Sequence, residues 1–292
     1  MSVHTKSQAP ETAPAGIPWR DLLPMSRTET LAELSLPLPW LALSLLLYAT
    51  PLWPLGAAAS FMFFLCALRL NHEAIHGNLG LSRRGDHSVL HLLSLLMLGS
   101  NHAVAHGHVM HHRHAMTAAD HEGRCGEMSL ARVLLYGPRF PFDINRTAWA
   151  AGPARLRRRM LTDWALAGSG VALALATGQR ALMLHYAAMA TAQCLTALFA
   201  VWITHRGTRV TGLAARSQRG WLARAAYLMF YHREHHLFPR VPVRRLPRLA
   251  ARLDRDAPGY AGRRKPVIAL FDPAFHRARA RLFTDAPQRK TS

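Results

Sequence analysis

Cysteine is scarce in this chain, with three in 292 residues: Cys66, Cys125 and Cys194. Odd in number and scattered, they form no disulfide framework, no Cys-based metal site and no iron–sulfur spacing. Acidic residues are also few, 16 against 36 lysines and arginines. The Pro-, Thr- and Ala-rich start has no basic stretch followed by an apolar core, so it reads as a tail rather than a signal peptide. A glycine-rich dinucleotide fingerprint is missing, as are the paired Glu-x-x-His motifs of soluble di-iron carboxylate bundles. What the chain does have is apolar residues, half of its length, gathered into blocks.

Four blocks stand out: residues 38–53, 54–70, 161–177 and 181–203. The fourth reaches the roughly 20 helical residues that a bilayer core needs, and the others span only if their helices run on into polar flanks. Lysine and arginine are distributed with equal sharpness. Residues 1–36 carry 3, residues 69–160 carry 12, the 178–180 turn carries 1, and residues 204–292 carry 20. The positive-inside bias then puts both termini and the middle segment in the cytoplasm, each pair of spans forming a hairpin. The expected organisation is a flexible tail (1–36), a first transmembrane hairpin (37–71), a cytosolic segment (72–160), a second hairpin (161–203) and a basic cytosolic segment (204–292). The fold class is all-α and integral to the membrane, a four-span bundle under a histidine-rich cytosolic cap. Nucleic acid, the rival partner for so basic a chain, fits poorly because the arginines flank apolar spans.

Most of the 18 histidines fall in the segments assigned to the cytoplasm. Three windows matter: His72 and His76 in NHEAIHG; His108, His111 and His112 in HGHVMHHRH; and His232, His235 and His236 in YHREHHLFP. Residues three or four apart share a helix face, so each window aims its imidazoles at one place. Eight nitrogens are too many for one ion and suit two, although imidazole alone does not fix the metal. His106 and His114 become ligands only if the register of the second window differs. The segment 87–105 is apolar enough to cross, but crossing would put His72 and His108 on opposite sides. It is therefore expected to lie in the interface as a helix that does not span.

HEAIH, HVMHH and HREHHLFP, in that order and with a hairpin before the last, resemble the membrane fatty acid desaturase superfamily, which includes related hydroxylases and ketolases. The resemblance covers roughly residues 38–253 and implies two non-haem irons that activate dioxygen against an unactivated C–H bond. Carried over, the ligands are His72, His76, His108, His111, His112, His232, His235 and His236. The family often has one more at the end of the last span, where WITHRG places His205. Asp120 and Glu234 are candidates to accept the other ring N–H of a ligating imidazole. The first box carries Glu73 where many relatives have Asp, which bears on the substrate more than on the metal.

The implied activity is an oxygen-dependent desaturation of a fatty-acyl chain. The related alternative is hydroxylation or ketolation of a carotenoid or other lipid. A histidine-rich metal transporter is the alternative from another class, and it needs ligands inside the spans, where only His185 stands. Nothing in the chain stores electrons ahead of the irons, so an external donor is implied, a ferredoxin or a cytochrome b5-like protein. The arginine-rich cytosolic face, including Arg157–Arg159, suits an acidic carrier or anionic lipid.

Overall fold

The apolar blocks become longer helices than their own lengths, because each continues into polar flanks. In the computed structural model, which describes residues 11–268 apart from 116 and 118, every regular element is helical. The first long helix, Arg27–Tyr48, is divided at Pro37 into α1 (Arg27–Ser35) and α2 (Leu38–Tyr48). The Pro37 ring removes a backbone donor and crowds the preceding turn. The second is α3 (Trp53–His76), whose 24 residues carry the first histidine window on their last turns. That window therefore extends a span instead of opening a separate segment at residue 72.

The first turn of α3 packs so closely on the end of α2 that it needs glycine. A Cβ at Gly56 would lie 2.7 Å from the Tyr48 ring, which itself donates a 2.9 Å hydrogen bond to Ser60. Next come α4 (Arg83–Met97) and α5 (Asn101–His114), bent by 115° at the Leu98–Ser100 corner. Leu98 adopts a left-handed φ of 58° there. The segment 87–105 thus forms parts of a bent pair instead of one straight helix.

Two short helices, α6 (Leu130–Tyr136) and α7 (Phe140–Ala151), lead into α8 (Ala154–Thr177), again 24 residues and apolar enough to span. The fourth such helix, Arg180–Thr211, is compound. It runs through α9 (Arg180–Thr196), a π-helical turn at Ala197–Trp202, α10 (Ile203–His205) and α11 (Thr208–Thr211). Among the described residues, four helices are thus long and apolar enough to cross a membrane.

The remaining polar cap holds α12 (Trp221–Ala225), α13 (His232–Leu237) and α14 (Leu246–Asp256). Leu246, Leu249, Ala250 and Leu253 share one face of α14 and are buried. Ile17 and Leu22 join that core, so from residue 11 onward the segment expected to be a flexible tail packs on the cap. The scarce acidic residues of this segment each hold an arginine: Glu11 with Arg233, Asp21 with Arg252, Glu29 with Arg245 and Glu33 with Arg69. Trp19, Leu22 and the Ser26–Glu29 capping box were the sequence signals of this order.

Candidate metal centre

Four helix ends meet beneath the cap. α3 stops at Gly77, whose φ of 69° closes the helix directly after His76. α5 presents His108, His111 and His112 on its last two turns, and α13 begins at His232. The π-helical turn before α10 shifts the register of the last span and sends His205 inward, where it is buried. All nine histidines expected as ligands come together.

They form two sets. In the first, the Nε2 atoms of His72 and His235 are 2.8 Å apart, those of His235 and His112 are 2.9 Å apart, and those of His112 and His108 are 3.2 Å apart. His76 joins this set with ligand atoms of His72, His108 and His235 all within 4.8 Å of one another. In the second, Nε2 of His205 lies 3.2 Å from that of His111 and 3.0 Å from that of His232, with His236 at 3.2 Å from His232. The stacked rings of His112 and His236, 4.3 Å apart, join the two sets.

Imidazole nitrogens about 2.1 Å from one ion, at right angles, stand about 3 Å apart. The observed spacings match that arrangement in both sets. Nε2 of His76 is buried with no hydrogen-bond partner among the described residues, as a nitrogen with its lone pair kept for a metal would be. Burial pushes His232, His235 and His236 far below the ordinary histidine range, helped by neighbouring imidazoles. These rings are therefore neutral near pH 7, the form that ligates. The donor set fits two ions.

Carboxylates brace parts of the set. Nδ1–H of His111 donates to Asp120 at 2.7 Å, and the same carboxylate accepts the Gly123 backbone N–H at 2.7 Å. Burial is the largest single influence and pulls His111 down, but the Asp120 hydrogen bond together with the charges of Glu122 and Asp120 outweighs it, and the imidazole ends above its usual value. Glu122 accepts from His108 at 3.2 Å, and although burial raises its carboxyl, the neighbouring imidazoles of His108 and His111 leave it below its ordinary value. Glu234 is placed otherwise. It accepts from Ser217 at 2.6 Å and from Arg219 at 3.0 Å, which ties α13 to the cap and not to a ligating ring. His106 and His114 fall outside both sets.

A cavity of about 780 Å³ reaches His72, His108 and His232, with Phe61, Leu65 and Phe199 on its largely apolar wall. Among the apolar residues of α2 and α3, Phe61 and Leu65 line it, whereas Leu43 and Leu46 face outward and Phe64 is core.

A model of the fatty acid desaturase family matches residues 48–266, three quarters of the chain and all three histidine windows. The chain belongs to the fatty acid desaturase family. A search of curated proteins finds no match. Family membership makes it a membrane oxidoreductase that uses oxygen and a lipid substrate.

This desaturase-family chain also holds a histidine network that spacing did not reveal. Asp163, buried on α8, accepts from His91 at 2.6 Å, from Ser100 at 2.7 Å, and from both the backbone and ring of His102. His87 stands 3.1 Å from the far side of the His102 ring. These bonds pin the α4–α5 corner to α8, and so fix the direction in which α5 carries His108, His111 and His112. The lone Asp163 inside an apolar run was the available signal, since a buried charge needs partners.

Proposed function

We propose that this chain is a di-iron oxidase that removes two hydrogens from adjacent carbons of a fatty-acyl chain. The observation that carries it is the convergence of nine imidazoles in two sets at a wall of the apolar cavity. His72, His76, His108, His112 and His235 would hold one iron, and His111, His205, His232 and His236 the other. The irons, when bound, supply the oxygen activation that family members use against C–H bonds.

The chain's own residues contribute the rest. Asp120 and Glu122 hold His111 and His108 in the tautomer that keeps Nε2 free for the metal. The apolar wall excludes water and holds one stretch of hydrocarbon beside His72, His108 and His232, which sets the position oxidised. The basic segments support an active site and termini on the cytoplasmic side, with an acidic external carrier delivering electrons. A transporter finds less support: Nε2 of His185 is bonded to the Leu96 carbonyl at 2.9 Å and belongs to no candidate metal group.

Metal content per chain, measured after purification in mild detergent beside a His235→Ala variant, is the test. About two irons in the parent and a clear loss in the variant are expected, followed by a product two mass units lighter than the substrate. One zinc, or no metal after anaerobic iron loading, would overturn the reading; a gain of oxygen in the product would favour hydroxylation.

A further inference from the structure

A cavity that takes a long chain needs a mouth, and the exposure of its wall locates one. Among the described residues that line it, four are exposed: Pro138, Phe142, Trp164 and Ala190. Pro138 leads into α7, Phe142 stands on α7, Trp164 on α8 and Ala190 on α9. At 75% exposure, Phe142 presents more than its cavity side, so the wall ends there. Lining residues from the cap differ. Ala226, Met229 and Phe230 are only partly exposed, and His232 is buried.

The surface around this gap is of the kind that meets lipid. Leu161, one turn before Trp164, is 52% exposed, and Leu135, three residues before Pro138, is 84% exposed. Met183, two turns before Ala190 on the same face of α9, is exposed as well. Trp149 and Trp164 stack at 5.4 Å, and the Trp164 indole N–H donates to Asn145 at 3.1 Å. Such rings, apolar with one polar edge, belong at a membrane interface. Ala190 stands ten residues into its spanning helix, about 15 Å or half the hydrocarbon thickness. The gap therefore runs from the interface at α7 toward the middle of the bilayer.

We propose that the opening between α7, α8 and α9 admits the substrate sideways from the bilayer, and that the substrate is an acyl chain anchored in the membrane, not one carried through water as a soluble thioester. The inference rests on the reading of the cavity as the place of the acyl chain. A soluble thioester bears a large polar carrier that must stay in water while its chain is threaded. That needs a mouth on the cap side, where no described lining residue is exposed. A membrane lipid has only to swing one chain through the gap. Its headgroup stays at the interface beside Trp149 and Trp164, and the chain passes from one apolar medium into another.

The test is photocrosslinking, read without turnover. The full chain is placed in lipid nanodiscs that contain phosphatidylcholine or free stearic acid with a diazirine in mid-chain. In a third arm the matching stearoyl thioester of coenzyme A is supplied in the water. Adducts are located by mass spectrometry after irradiation, and the two lipids report whether the anchored chain is esterified or free. Adducts on Phe61, Leu65 and Phe199 are expected from at least one lipid and not from the thioester. Ala190→Trp fills the gap and is expected to abolish them while sparing adducts on Leu43 and Leu46, which lipid reaches from outside. Adducts confined to outward-facing residues overturn the proposal, as do cavity adducts that survive Ala190→Trp or a thioester yield equal to the lipids'. If the variant does not fold, the comparison of lipid with thioester in the parent protein decides alone. Crosslinking needs no iron, so failure of the metal measurement would leave this result standing.

Discussion

Replacing Asp120 by Asn changes one charge and no volume, and its consequence for the metal centre can be worked out. Asp120 accepts Nδ1–H of His111 at 2.7 Å and the backbone N–H of Gly123 at 2.7 Å. A charge-assisted hydrogen bond contributes about 1.5–3 kcal/mol, and an amide in its place keeps only a fraction. Loss of a carboxylate behind a ligating imidazole weakens metal affinity by about 10- to 100-fold, or about 1.4–2.7 kcal/mol, which agrees with that figure. The assay is metal retained per chain across graded chelator. One of two metals should leave early in Asp120→Asn, since His111 belongs to only one set. Glu234→Gln serves as the contrast. Its partners are Ser217 and Arg219, so it should lower the melting temperature without selective metal loss. Equal retention in Asp120→Asn and the parent would refute the assignment of Asp120 as the brace of a ligand.

Gly56→Ala should destabilise the α2–α3 hairpin by about 1–3 kcal/mol, because its Cβ would meet the Tyr48 ring at 2.7 Å; a melting temperature equal to the parent's would contradict this. Asp163→Ala leaves His91, Ser100 and His102 without their shared acceptor and should cost about 3 kcal/mol, read by thermal unfolding in detergent. Metal-stripped protein should lose stability as pH falls below about 6.5. The folded-state values of His232, His235 and His236 are depressed, so the unfolded chain binds more protons there. That stability is complete above the unfolded value near 6.5 and is lost toward the folded ones, at up to about 1.4 kcal/mol per pH unit for each group. Melting temperatures between pH 7.5 and 5.5 check it, and a flat profile would refute it.

The three histidine windows were legible because helical spacing is a local property: His108 and His112, or His232 and His236, share a face whatever else the chain does. The spans were legible for the same reason, since their length and apolarity are written in consecutive residues. His205 was found only through resemblance, since one histidine after an apolar run has no spacing to mark it, and the π-helical turn that aims it inward is invisible in composition. Glu234 and Glu122 show the limit most clearly. Glu234 sits inside one histidine window and Glu122 eight residues past the end of another, yet the first reaches Arg219 across the cap and the second reaches back to His108. Adjacency in sequence does not decide which partner a carboxylate meets.

The sequence by itself determined the helical spans, the histidine faces and, through their order, the family. The tertiary structure decided how those faces divide into two sets, which carboxylates brace them, and where Asp163 fastens the α4–α5 corner. It also decided that Phe61 and Phe199, far apart in sequence, line one cavity. Periodicity is fixed by a few neighbouring residues, whereas a contact such as His72 with His235 joins positions 163 residues apart. Only the packing of α3, α5, α10 and α13 brings such pairs within bonding distance.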